Sequence, residues 1–350
     1  MNTREITPFF EKEELSILGT TGPEPLLEEE TRYARWIDSG FHGTMTYLEK
    51  HSRKRFRPER FLPGCRSLLF TGLNYYQERR EAPAGHGLIA RYAWGRDYHK
   101  VLGKRLKRIA GDLREIFPGE RFFPFVDTSP LAERSFALRA GVGFVGRNTL
   151  LIREGYGSWF VLGGIASTLD LDRVESGVRT GGTAPADAVG GCPPGCSLCI
   201  DACPTGALFA PYRMDASKCI SYLTIEYKNA IPAVAAASIG NRLFGCDVCQ
   251  EVCPLNKSVE KTYVADFLSP IAGGSRSLEE VLSIDTPAEF SRRFAGSPLM
   301  RVKRRGLLRN ACVCAVNIGT TDLRPRLKEL TADDDPIIRR QAALAIKTLG

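Results

Sequence analysis

CPPGCSLCIDACP (residues 192–204) and CDVCQEVCP (residues 246–254) are the two stretches that decide how this chain must fold. Their cysteines recur at short spacings, and each stretch ends in Cys-Pro. Thiolates are the soft donors that iron takes in iron–sulfur clusters. The run C-x2-C-x2-C-x3-C-P marks a bacterial four-iron, four-sulfur loop whose last cysteine serves the other cluster. Crossing the two stretches by that rule gives Cys192, Cys196 and Cys199 a fourth ligand in Cys253. Cys246 and Cys249 take Cys203, and Cys219, lying between the stretches, completes their set. Three residues rather than two follow Cys192, a departure from the pattern, yet no other cysteine is close enough in sequence to replace it. The competing assignment is a pair of zinc sites, which combine two C-x2-C knuckles. The threefold ladder and the Cys-Pro endings favour two [4Fe-4S] clusters instead. Of the 11 cysteines, Cys65, Cys312 and Cys314 are left over, and the last two sit in an apolar helical stretch as small core residues.

A ferredoxin needs only this module, whereas about 190 residues precede it here and about 95 follow. The full 350 residues suffice for two or three domains, and 43% hydrophobic content is that of a globular protein. A formal charge of +8 suits a polyanionic partner such as nucleic acid. The opening MNTREITPFFEKEELSIL lacks the basic segment and apolar stretch of an export signal, and no run reaches the ~18 apolar residues of a membrane span. We therefore expect a cytoplasmic monomer with no membrane association. In that reducing compartment cysteines bind metal rather than pair.

Upstream of the cysteines, residues 1–60 read as mostly helical, interrupted at Gly40–Gly43. SLLFTGLNYY (residues 67–76) is the first strong strand signal, after the turn at Pro63 and Gly64. Over residues 97–117, Val101, Leu102, Leu106, Ile109, Leu113 and Ile116 recur at helical spacing with Lys and Arg on the other face. A strand over 121–126 leads to Asp127-Thr128-Ser129-Pro130, a helix starts near Pro130, and 158–168 is a further strand. Strands alternating with helices predict an α/β or α+β domain. Residues 175–191, rich in Gly, Ala and Thr, read as a link. The expected division is 1–175, 176–265 and 266–350.

Toward the C-terminus, RNACVCAVNIG (309–319) and RQAALAIKTLG (340–350) are self-similar at an offset of 31 residues, aligning Arg with Arg, Ala311 with Ala342 and Gly with Gly. Such a period with helical patterning predicts stacked helix pairs of the HEAT type. Just ahead lies a basic cluster, Arg301, Lys303, Arg304, Arg305 and Arg309, which is either a phosphate-binding patch or a solvated helix face.

RYAWGRDYHKVL (91–102), VDTSPLAERSFALRAGVGFVGRNTLL (126–151), YGSWFVLG (156–163), KCISYLTIE (218–226) and IGNRLFGCDVCQEVCPLNK (239–257), in this order and with the cysteine loops, resemble the epoxyqueuosine reductases. These are cobalamin and iron–sulfur enzymes of tRNA modification, related to reductive dehalogenases. The resemblance implies an N-terminal α/β cobalamin-binding domain, a ferredoxin-like two-cluster module and C-terminal HEAT-like repeats that grip tRNA. It implies reduction of epoxyqueuosine to queuosine at the wobble position, with two electrons passing singly through the clusters from an unidentified electron donor. Asp127 is then the proton donor, because a departing oxygen must be protonated. For that work its pKa is expected to be raised by burial or nearby negative charge. Without the resemblance, Asp127 reads as a turn cap.

Carried over residue by residue, the cobalamin contacts fall at Arg55, Ala90, Asn148, Leu151, Leu162, Ser221 and Asp247, besides Asp127. Leu151 and Leu162 are otherwise ordinary core. The tRNA contacts fall at Lys228, Arg242, Arg301, Lys303, Arg304 and Arg305. Asp97-Tyr98-His99-x3-Gly103 is one residue too long for the Asp-x-His-x2-Gly motif of other cobalamin proteins, so His99 reads as a pocket or surface residue. The rival functions are a small-molecule reductase of dehalogenase type, which would not need the basic repeats, and a non-enzymatic electron carrier, which would not need the long N-terminal region.

Overall fold

A computed structural model describes residues 3–172 and 191–349. The predicted link at 175–191 lies outside the described residues except for Gly191. At the centre of the N-terminal region is a four-stranded sheet in the order β1 (Gly19–Thr21), β2 (Ser67–Asn74), β4 (Phe160–Ser167), β3 (Phe122–Val126), every neighbour antiparallel. All eight residues of β2 are buried, as befits a strand covered on both faces. Helix α1 (Tyr98–Ile116) lies on β3 and β4 and buries Val101, Leu102, Leu106, Ile109, Ala110 and Leu113 against them. Each large side chain in that stripe contributes roughly 1.5–3 kcal/mol of apolar burial. A second helix, α2 (Glu133–Arg139), covers the other side through Phe136 and Ala137.

Residues 1–60 are mostly helical, as the sequence suggests, with one addition. Gly19–Thr21 is a strand, paired to Leu68–Phe70 of β2, because three buried small or β-branched residues extend an open sheet edge. The strands and helices expected downstream all form, with boundaries shifted by a few residues.

A second, three-stranded sheet is made from distant parts of the chain. His86–Ile89 pairs in parallel with Arg242–Phe244 and antiparallel with Ser275–Ser277. Its apolar face merges Ile89, Trp94, Ile225, Leu243 and Phe244 with the helices that follow, α3 (Lys303–Ile318), α4 (Arg324–Leu330) and α5 (Pro336–Thr348). Helix α3 packs on α5, and Ala311 and Ala342, equivalent in the sequence repeat, are both fully buried. Arg309 and Arg340 differ: the first is 1% exposed and the second lies on the surface. Gly245, at φ +69°, enters the second cysteine loop, and a side chain there would collide with Ala90. Among the described residues no helix is long and apolar enough to cross a membrane.

Candidate active site

Asp127 sits at the end of β3, where the strand turns away from the sheet. Its carboxylate accepts a hydrogen bond from the Tyr98 hydroxyl and is ion-paired with His99 Nε2, both in the first turn of α1. The helix start fixes that geometry. Asp97 is the N-cap, its side chain accepting from the His99 amide at 3.1 Å and from His99 Nδ1 at 2.7 Å. The Tyr98 and His99 rings stack with centroids 4.0 Å apart. Burial opposes charge on His99, but Asp127 and Asp97 outweigh it and push its pKa up to about 9. The imidazolium is therefore the resting form at neutral pH.

The consequence for Asp127 corrects the sequence expectation. Burial pushes its pKa up, but His99, Tyr98 and Arg301 hold it below the usual carboxylate value. The side chain is 52% exposed, and the site's protons reside on its neighbours. One of these is Glu133, at the start of α2, where burial first and then the charge of Asp127 push the pKa up to about 8. Tyr47, Tyr92 and Arg55 complete the surroundings, the charge of Asp127 acting on Tyr47 and Tyr92 and that of Arg55 on Glu133. Sequence reading singled out neither Tyr98 nor Glu133 for this site. The available signal was the Asp97 cap, which turns both Tyr98 and His99 toward β3.

Within each expected crossed set the cysteines lie in electrostatic reach of one another. Cys192, Cys196 and Cys253 act electrostatically on Cys199, and the four line one small pocket with Arg147, Asn148 and Ile152. The extra residue after Cys192 is taken up by Gly195, at φ +70°, and Cys192 Sγ accepts from the Arg147 amide at 3.4 Å. In the other set, Cys203 acts on Cys219, Cys219 on Cys246, and both Cys219 and Cys246 on Cys249. Among the described residues no three His, Cys, Asp or Glu side chains converge tightly enough for a single metal ion. Cys65, Cys312 and Cys314 are buried away from both sets in apolar clusters.

Several residues carried over as cobalamin contacts meet beside the second set. Asn148 Nδ2 donates to the Cys249 carbonyl at 3.4 Å, and the Ala90 amide donates to the Phe244 carbonyl at 2.8 Å. Ser221 stands next to Cys219 at the start of a π-helical turn, Tyr222–Glu226. Leu151 is buried and Leu162 half-buried beside the same apolar cluster. Arg55 belongs to the Asp127 side, its Nε shielded from solvent and without a partner. Asp247 is different. Its carboxylate is 3% exposed and accepts from Arg79 at 2.8 Å, from Arg91 Nη1 at 3.1 Å and from the Arg91 amide at 2.9 Å. Burial still raises its pKa against both arginines. That side chain is the counter-ion of Arg79 and Arg91, next in sequence to Cys246.

The basic cluster divides. Arg301, Lys303 and Arg305 are exposed, and Arg301 pairs with Glu226 at 2.7 Å. Arg305 pairs with Asp335 at 2.5 Å across the surface. Lys228 is exposed and donates to the Ile225 carbonyl at 2.8 Å, whereas Arg242 is half-buried. Arg304 is the correction: it is 8% exposed, donates to the Ile284 carbonyl at 2.7 Å and pairs with Asp333, so it braces the repeat and offers nothing to phosphate. Arg309 likewise is structural. It donates to the carbonyls of Leu223 (2.8 Å), Asn229 (3.1 Å) and Tyr227, while Asn310 donates to that of Thr224 at 2.8 Å. These are carbonyls that a π-turn leaves without helical partners.

Comparison with known proteins agrees with this assembly. Residues 55–128 match the family model "Epoxyqueuosine reductase QueG, DUF1730", and residues 192–256 match the "4Fe-4S double cluster binding domain". An epoxyqueuosine reductase of Xanthomonas campestris is 38% identical over 95% of this chain and 92% of its own length. The chain belongs to the epoxyqueuosine reductase family. It is thereby an oxidoreductase of mixed α/β structure that binds [4Fe-4S] clusters. A Pseudomonas aeruginosa epoxyqueuosine reductase is 36% identical over 92% of this chain and 88% of its own length. Among solved structures, an epoxyqueuosine reductase holding an epoxyqueuosine-modified tRNA stem loop superposes with a TM-score of 0.86 at 28% identity, over 99% of this chain and 90% of that one. The Bacillus subtilis epoxyqueuosine reductase matches equally well in a form whose catalytic aspartate loop is swung out of the active site.

Proposed function

We propose that this protein reduces epoxyqueuosine to queuosine at the wobble position of tRNA, with Asp127 passing the proton to the departing oxygen. The observation that carries the reading is the junction of Asp127 with Tyr98 and His99 in a chain that matches a double [4Fe-4S] cluster domain over residues 192–256. Asp127 starts as a carboxylate and receives its proton from the groups that surround it. His99 holds one such proton, and Tyr98 keeps the carboxylate oriented.

Cobalamin is the proposed further cofactor, supplying the two-electron reduction at the epoxide carbon when bound. The donor set fits such a group. Arg55 offers an unpartnered, shielded Nε, Ala90, Leu151 and Leu162 offer apolar packing, and Asn148 and Ser221 are short polar side chains beside the second set. For tRNA we assign Arg301, Lys303, Arg305 and Lys228, with Arg242 nearby, as the phosphate contacts. We keep the division 1–175, 176–265 and 266–350 as one of labour: catalysis, electron relay, and a HEAT-like helical region for tRNA. A cytoplasmic setting suits eleven unpaired thiols. The electron donor enters from outside the chain.

The test is anaerobic reconstitution, quantification of iron and cobalamin, and assay on epoxyqueuosine-containing tRNA. Cobalamin binding and turnover are expected. A protein that takes up clusters but neither binds cobalamin nor turns over refutes the reading. Asp127→Ala should keep both cofactors and lose roughly 100-fold or more in turnover.

A further inference from the structure

On the reading above, electrons travel singly through the clusters, and the potential of each cluster decides how readily it accepts one. We propose that Arg147 sets the potential of the first cluster, its guanidinium donating Nε–H to a sulfur of the cube that Cys192, Cys196, Cys199 and Cys253 hold. This rests on the reading of those four cysteines as one ligand set.

Arg147 is delivered by the N-terminal region. It follows Gly146 in the tight turn that joins two short paired strands, Phe144–Val145 and Leu151–Ile152. The Gly146 amide donates to the Leu150 carbonyl and the Thr149 amide to the Gly146 carbonyl, each at 2.8 Å. Thr149 stands at φ +68°, a conformation that β-branched residues rarely take. This turn reaches both cysteine stretches through consecutive residues. Asn148 donates to the Cys249 carbonyl in one. Arg147 takes the other: its amide donates to Cys192 Sγ at 3.4 Å, and its Nη1 donates to the Cys196 carbonyl at 2.6 Å. The Tyr212 amide donates to the Arg147 carbonyl at 3.0 Å and steadies the backbone from a third side.

Arg147 lines the same small pocket as the four thiols. Its Nε is shielded from solvent and, among the described residues, has no hydrogen-bond partner. A buried charged donor without an acceptor is costly. Cluster sulfurs are acceptors of the right kind, and hydrogen bonds to them are a recognised influence on potential. The guanidinium is planar and always charged, so anchoring Nη1 at Cys196 also limits where Nε can lie. Reduction adds a negative charge to the cube. A fixed cation and a charge-assisted hydrogen bond stabilise that charge, more strongly where water is excluded, and so raise the potential. The step that Arg147 eases is the gain of one electron from an external one-electron reductant. No proton moves in it, and no bond is made or broken.

Holoenzyme, wild-type and Arg147→Met, is poised with titanium(III) citrate and mediator dyes, and each cluster's reduced fraction is read by electron paramagnetic resonance. Loss of a signal in Cys192→Ala identifies the first cluster. At the wild-type midpoint, Arg147→Met should show a roughly tenfold lower ratio of reduced to oxidised first cluster, a fall of about 59 mV for a one-electron couple. The second cluster should keep its midpoint. Arg147→Lys retains the charge without the planar fork and should fall by less. A residue that merely braces the turn would lower the urea midpoint and leave both potentials alone. The proposal is overturned if the first cluster of Arg147→Met keeps its midpoint, if that midpoint rises, or if both clusters fall equally. Should Arg147→Met lose the first cluster outright, seen as about half the wild-type iron, Arg147→Gln is titrated in its place. An Arg147→Gln protein with the wild-type midpoint, or one that also loses the cluster, overturns the proposal too. Failure of the parent reading is distinguishable, because Cys253→Ala would then not remove the same signal as Cys192→Ala in otherwise wild-type protein.

Discussion

Asp127→Asn should lower the pKa of His99 measurably, and the size of the drop can be worked from the site. His99 rises from 6.5 to about 9 against the opposing effect of burial, with Asp127 the leading upward influence and Asp97 the second. The rise corresponds to about 3 kcal/mol of preference for the charged ring. At 21% exposure the imidazole is sheltered enough for most of that to survive solvent screening. Removing the stronger carboxylate should take away about half, moving the midpoint down by more than one pH unit, or ~1.4 kcal/mol. Linkage fixes the sign. A pKa raised in the folded state stabilises that state fully below 6.5, and the contribution is lost as pH rises through about 9. The Asp127→Asn substitution should thus cost stability at pH 6 and almost nothing at pH 10. The chain has only 4 histidines, so the titration can be followed by NMR of ring-labelled protein, with urea unfolding at the two pH values alongside. An unshifted His99 midpoint, or a stability loss equal at both pH values, would refute the ion-pair account.

Crossed ligation makes a second prediction: Cys253→Ala should damage the same cluster as Cys192→Ala, and Cys219→Ala the same one as Cys246→Ala, each leaving about four of eight irons; matching electron paramagnetic spectra within a sequence stretch, rather than across stretches, would mean the cubes are uncrossed. The divided basic cluster makes a third. Arg309→Met should destabilise the fold by about 2–4 kcal/mol by stranding buried carbonyls, seen as a lowered urea midpoint. Arg301→Ala should leave stability unchanged but weaken stem-loop binding and flatten its salt dependence by roughly 0.7–0.9 in the log–log slope. Unaltered salt dependence would remove Arg301 from the phosphate contacts.

The cysteine loops were legible as a double-cluster domain because their chemistry is local: close spacing puts several thiols on one short loop. Helix α1 was legible for the same reason, its apolar stripe and Asp97 cap being written in consecutive residues. What escaped the sequence depends on residues brought together from far apart. Arg304 and Arg309 look like their solvated neighbours Arg301 and Arg305, and only the arrival of Asp333 and the π-turn carbonyls separates them. Asp127 reads as an acid awaiting a raised pKa until α1 delivers a cation to it. Strand β1, three residues long, carries too little pattern to announce itself and exists because β2 offers it an edge.

The small sheet formed by His86–Ile89, Arg242–Phe244 and Ser275–Ser277 bears on how such a protein can be inherited. The three strands lie far apart along the chain, and the central strand, His86–Ile89, serves the other two at once. Transplanting residues 192–254 into another protein would carry away one edge, and truncating the chain ahead of Ser275 would strip the other. The N-terminal, cysteine-bearing and C-terminal segments are therefore stitched together by backbone hydrogen bonds, and recombination between them would leave unpaired strands. Such a protein diversifies by substitution at its surfaces rather than by exchange of its parts.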